Sequence, residues 1–152
     1  MLPPSDISQS AVPSEKRELT EEEIQMLSHV CQSARETQGR SIEECFAINR
    51  EGRLVSQYSL SFSLVKKAPK LPAGFVAPCV SFDNVDEPID LPHGLEVQDL
   101  SVINSPGLRG FNPHIRITGV LHISKSHAHP QALADAERLQ AEGKIGRIHY
   151  CD

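Results

Sequence analysis

The chain has 152 residues, is 39% hydrophobic and 23% charged, and carries a formal charge of -5. That length buries one ordinary core and leaves no room for two comfortable domains. The acidic balance and scattered lysines and arginines argue against a nucleic-acid or anionic-membrane partner, since phosphate binding needs a concentrated cationic face.

No apolar run approaches the roughly 20 residues needed to cross a bilayer. The opening "MLPPSDISQS" has neither the cationic start nor the apolar centre of a secretory signal. Cys31, Cys45, Cys79 and Cys151 are far apart and form no CxxC pair. Reduced thiols in a cytoplasmic protein fit this pattern better than a disulfide framework.

Residues 1–17 are rich in Pro, Ser and charge and lack periodic apolar positions, which predicts a disordered tail before a single domain over 18–152. "TEEEIQMLSHVCQSARE" then predicts a helix: Thr20 and Glu23 have capping-box spacing, and Ile24, Leu27, Val30, Cys31 and Ala34 make one apolar stripe. "IEECFAI" reads as a short strand, "NREGR" as a turn and "LVSQYSLSFSLV" as a second strand. In that second strand Tyr58, Leu60, Phe62 and Leu64 alternate with Gln57 and three serines. Such alternation indicates an antiparallel sheet with one wet face.

Residues 66–113 hold seven prolines, which exclude long helices and leave "GFVAPCVSF" and "LEVQDLSVI" as short edge strands. The segment from Asp83 to Asp99 contains no Lys or Arg. Its Asp83, Asp86, Glu87 and Asp90 form an acidic loop suited to a basic protein partner, and their spacing does not match an EF-hand calcium loop. "HIRITGVLHIS" is a further alternating strand. A helix beginning at Pro130 and stopping at Gly143, then "KIGRIHY" as a last strand, complete the chain. The expected fold class is α+β: one domain with a mixed or mainly antiparallel sheet, an N-terminal and a C-terminal helix, and the disordered tail.

Five of the seven histidines lie between 114 and 149. In extended backbone, residues two apart point the same way, so the rings of His127 and His129 in "HAHP" can reach one ion; zinc takes such neutral nitrogens at about 2.0 to 2.1 Å. Asp135 is the nearest downstream carboxylate for a third ligand. A carboxylate beside a bound water would then act as general base.

The order helix, strand with an early glutamate, turn, strand, irregular stretch, strand ending in HxHP, helix, strand resembles the JAB (MPN, or JAMM) metalloprotease domain. The resemblance implies a zinc-dependent peptidase or isopeptidase acting on a protein or peptide. It implies Glu43 or Glu44 of "EECFAINREG" as the base, and His127 and His129 as zinc ligands. The family's aspartate spacing falls on Gln140, which leaves Asp135 as the carboxylate ligand, and no serine follows Ser126 to serve as its oxyanion donor. The alternative is a non-catalytic protein-interaction module, of the kind found among bacterial or phage accessory proteins, binding through the acidic loop or a sheet face.

Overall fold

In a computed structural model of the protein, residues 18–62 and 69–151 are described. The tail expected over 1–17 and Leu64 of the second predicted strand lie outside the described residues.

Helix α1 spans Glu21–Ser33 and starts where the sequence places its cap. Thr20 Oγ1 accepts from the Glu23 amide at 3.1 Å, and the Glu23 carboxylate accepts from the Thr20 amide at 3.0 Å. Leu27, Val30 and Cys31 are buried, whereas Ile24, at the start of the apolar stripe, is exposed. The helix is held to the following 3-10 turn, Arg35–Thr37, by the buried Thr37 hydroxyl, which donates to the Cys31 carbonyl at 3.2 Å. The next segment corrects one expectation. Ile42–Cys45 is not strand but a single helical turn, α2, because Ser41 and Glu44 form a second capping box. Strand β1 therefore begins only at Phe46 and ends at Ile48.

Beyond β1 the chain winds rather than folding back and forth. Strands β2 (Leu54–Ser56), β3 (Leu60–Ser61), β4 (Val76–Ser81), β5 (Glu96–Val102), β6 (Arg116–Ile123) and β7 (Ile145–Tyr150) join β1 in one sheet. Its main path runs β1-β2-β4-β5-β6-β7, with β3 also on β4. Only β1 and β2 are antiparallel; every later pairing is parallel. Val76 pairs with Glu96 and Glu96 with Arg116, an offset of 20 residues each time. The result is a β-solenoid-like stack of about three turns.

Two corners per turn set that period. Gly74 (φ 75°) and Gly94 (φ 78°) occupy one corner, and Asn84 (φ 61°) and Asn104 (φ 54°) the other. These are left-handed backbone positions, which glycine adopts freely and asparagine tolerates better than other side chains. The corners also bond to one another. Gly74 N–H donates to the His93 carbonyl at 2.8 Å, Asn84 N–H to the Ile103 carbonyl at 2.8 Å, and the Asn104 side-chain amide to Asn84 Oδ1 at 3.3 Å.

Equivalent apolar residues fall into inward ladders. Ala77, Val97, Ile117 and Ile145 form one rung-to-rung column, and Leu60, Val80, Leu100 and Leu121 another. Phe62 and Phe82 stack with ring centroids 5.0 Å apart. The N-terminal helices close one end of the stack. At the other end α3 (Pro130–Ala141) replaces a return turn, burying Ala132, Ala136 and Leu139 and connecting β6 to the parallel strand β7.

The expected α+β domain with a mainly antiparallel sheet is thus replaced by a largely parallel solenoid with few helices. The physical reason lies in the pattern used. A solenoid turn packs one strand face against its own return leg, so it shows the same in-out alternation as a one-sided antiparallel sheet. What separates the two is the 20-residue repeat "LPAGF", "LPHGL", "FNPHI". The prolines predict edge strands, whereas β4 and β5 are interior strands. Pro72, Pro92 and Pro113 precede strands, and Pro78 lies opposite the break between β2 and β3, where no ladder donor is needed. No helix among the described residues is long and apolar enough to cross a membrane.

Two substitutions check the stacking in urea unfolding. Leu100→Ala empties a fully buried site in an interior strand and should cost about 2–5 kcal/mol. Gly94→Ala places a methyl at a left-handed position 3.3 Å from Gly74 Cα and should cost about 1–2 kcal/mol.

Candidate functional site

The proposed hydrolase residues fall into separate places. Glu43 and Glu44 are exposed on α2, which runs directly into β1 at one sheet edge. Glu44 is occupied as a cap: hydrogen bonds from the Ser41 amide and hydroxyl hold its carboxyl below the usual value, the opposite of what a general base needs near neutral pH. His127 and His129 follow β6, four inter-strand spacings from β1, or about 19 Å at ~4.8 Å per strand.

Around the HxHP motif each donor has a structural use. His127 Nδ1 lies 3.1 Å from the Ser126 hydroxyl. His129 is the N-cap of α3, its Nδ1 accepting from the Gln131 amide at 3.1 Å. Asp135 is buried: Oδ2 accepts from the Phe111 amide at 3.0 Å, and Oδ1 accepts from the Gln131 side-chain amide at 2.8 Å and pairs with Arg138 at 3.2 Å. This carboxylate anchors α3 to the solenoid, and His127, His129 and Asp135 do not bring donor atoms within 4.8 Å of one another.

The acidic loop divides in the same way. Asp83 is turned into the stack, where Oδ1 accepts from the Ser101 hydroxyl at 2.7 Å and the Ile103 amide at 2.9 Å, and Oδ2 from the Ser81 hydroxyl at 2.9 Å. Asp86, Glu87 and Asp90 are exposed. Their segment is fixed from below, because Val85 and Ile89 are buried, the Ile89 amide donates to the Gly107 carbonyl at 3.1 Å, and the Val85 amide donates to the buried Ser105 hydroxyl at 3.1 Å. A cleft of about 250 Å³ beside it is lined by Asp90, Leu91, Arg109 and Asn112 among others.

A second cleft, of about 330 Å³, opens at the glycine corners. Arg53 spans it, donating through Nε to the Gly74 carbonyl at 2.9 Å and through Nη1 to Glu96 at 3.0 Å, with Nη2 on the Gly94 carbonyl. That guanidinium ties three successive turns together, with each of its three nitrogens donating to the fold.

One chemically unusual cluster lies on the outward sheet face. His122 of β6 and His149 of β7 are register partners, their Nδ1 atoms 3.2 Å apart and their rings edge-to-face with centroids 5.4 Å apart. Cys151 Sγ is 3.9 Å from His149 Nδ1. Among the described residues, this is the one group of three His, Cys, Asp or Glu donors lying within 4.8 Å of one another. The other thiols differ. Cys31 and Cys45 are buried side by side, and burial, then the neighbouring Cys45, pushes the Cys31 thiol up to about 11.

The same-side geometry of residues two apart in extended backbone also holds for "HYC", residues 149–151, and is the sequence signal for this pair. His122 could be added only by knowing that β6 and β7 lie parallel and in register across the intervening helix. No family model, curated protein or solved structure matches the chain.

The two kinds of acidic residue are separable by experiment. Asp83→Ala strands the Ile103 amide and two hydroxyls and should lower the unfolding free energy by about 1–3 kcal/mol. Asp86→Ala should stay within about 0.5 kcal/mol of the parent.

Proposed function

We propose that the protein is a non-catalytic interaction module that offers Asp86, Glu87 and Asp90 to a basic segment of a partner protein. The observation that carries this is the exposure of those three carboxylates on a segment anchored by the buried Val85 and Ile89 and their amide hydrogen bonds. A rigid display loses less conformational freedom on binding than a floppy one. Exposed carboxylates contribute more to encounter and selectivity than to raw affinity. Repeating solenoid turns are suited to this role, since stacking generates an extended surface from local contacts.

Zinc-dependent hydrolysis receives less support from the geometry. It would need Glu43 or Glu44 beside a metal on His127, His129 and Asp135, and these groups cap helices, anchor α3 or lie across the sheet.

Affinity capture from lysate of the source cell, comparing the parent with the triple variant Asp86→Asn, Glu87→Gln, Asp90→Asn, tests the proposal. A partner held by the parent should bind the variant about tenfold more weakly, equivalent to about 1.4 kcal/mol, and should be released from the parent by salt. The pair His127→Ala, His129→Ala should bind like the parent. Equal affinity of the triple variant for every captured protein would remove the acidic turn as the docking surface.

A further inference from the structure

We propose that His122, His149 and Cys151 form a binding site for a zinc-class transition-metal ion, with two imidazoles, one thiolate and a position left for a further ligand. The inference is independent of the acidic turn.

Three features support it. The first is donor chemistry: imidazole and thiolate together suit zinc and its borderline neighbours and are poor ligands for magnesium or calcium. The second is spacing. Two nitrogens on a tetrahedral zinc at about 2.0 to 2.1 Å are about 3.3 Å from each other, and a nitrogen and a sulfur about 3.6 Å, taking Zn–S as ~2.3 Å. The protein places Nδ1 against Nδ1 at 3.2 Å and the His149 Nδ1 against Sγ at 3.9 Å, each within a few tenths of an ångström of those values, and all three donors lie within 4.8 Å of one another. An imidazole–imidazole hydrogen bond accounts for the first distance, and the thiol also lies 3.9 Å from the His149 carbonyl, so what supports a metal is the convergence of the three donors rather than any one pair.

The third is preorganisation by backbone. His122 and His149 are fixed opposite each other by the parallel ladder. The Cys151 amide donates to the Ile123 carbonyl at 2.9 Å, which continues the ladder one residue past β7 and places Cys151 on the side of His149. The two histidines therefore ride on strands, where positions are held more narrowly than on loops, and Cys151 is tied to them by one further ladder bond just past β7. His149 and Cys151 are exposed, so an ion has a direct route in and the thiol proton a direct route out to water on binding.

The test uses the full reduced chain, stripped of metal, titrated with cobalt(II) as a spectroscopic stand-in for zinc. A thiolate-to-cobalt charge-transfer band should grow to one ion per chain at micromolar cobalt and disappear when zinc is added. Cys151→Ser should abolish the band, and His122→Ala and His149→Ala should each weaken binding at least tenfold. All three should keep the parent's circular dichroism, because the substituted groups lie at the surface end of the sheet. His127→Ala, His129→Ala should leave the titration unchanged. No band at micromolar cobalt, or a band that survives in Cys151→Ser, overturns the site.

Discussion

The structure depends on the chain reversing at the same two points in every turn. Gly74 and Gly94 at one corner, and Asn84 and Asn104 at the other, hold left-handed backbone that most L side chains would resist. With the corners superimposed, residues 20 apart come into register, and each strand meets the next at the parallel-sheet spacing. A residue inserted into one strand would turn all its later inward side chains outward. The solenoid absorbs such irregularities locally: register shifts occur between Val97 and Leu100 and between Ile117 and Val120, after which the inward columns resume.

Corners expose backbone amides and carbonyls that no ladder satisfies, and burying them unpaired would cost more than the apolar columns return locally. Short polar side chains solve this in each turn. Asp83 takes the Ile103 amide, Ser105 takes the Val85 amide and donates to the Phe82 carbonyl, and Ser124 takes the Asn104 amide. Arg53 does the same at the glycine corner with a charge-assisted set. Several polar groups that invite a functional interpretation are therefore structural parts of the winding. The same is true of Asp135, whose negative charge is matched to the Phe111 amide and Arg138.

This explains what was and was not legible in the residues. Capping chemistry is local, so Thr20 with Glu23, and the proline start of α3, could be read directly. Ser41 with Glu44 carries the same signature, but the apolar run that overlaps it also fits a strand, and the cap decides the first four residues. Alternation identified the inward residues Leu60, Phe62, Ile117 and Leu121 correctly without revealing which strand lay beside which. Strand partners depend on the recurrence of "LPAGF" and "LPHGL" at a spacing of one turn, a longer-range signal than alternation. The acidic loop was visible as composition, but only the hydrogen bonds of Asp83 distinguish a carboxylate that holds the fold from three that face solvent.

Parallel stacking also changes where chemistry can collect. In an antiparallel hairpin, neighbours across the sheet are close in sequence, so a motif search along the chain finds them. In a solenoid they are a full turn away, and between β6 and β7 the offset rises to 28 residues because α3 replaces the return leg (Ile117 opposite Ile145). His122 and His149 are brought together by that lengthened connection and by nothing local. β7 is also the last strand, so one of its edges is unpaired among the described residues. The exposed Arg147 places a charge on that edge strand, which disfavours further strand addition. The end of the stack thus combines this unpaired edge with an accessible outer face, where inter-turn register alone decides which donors meet.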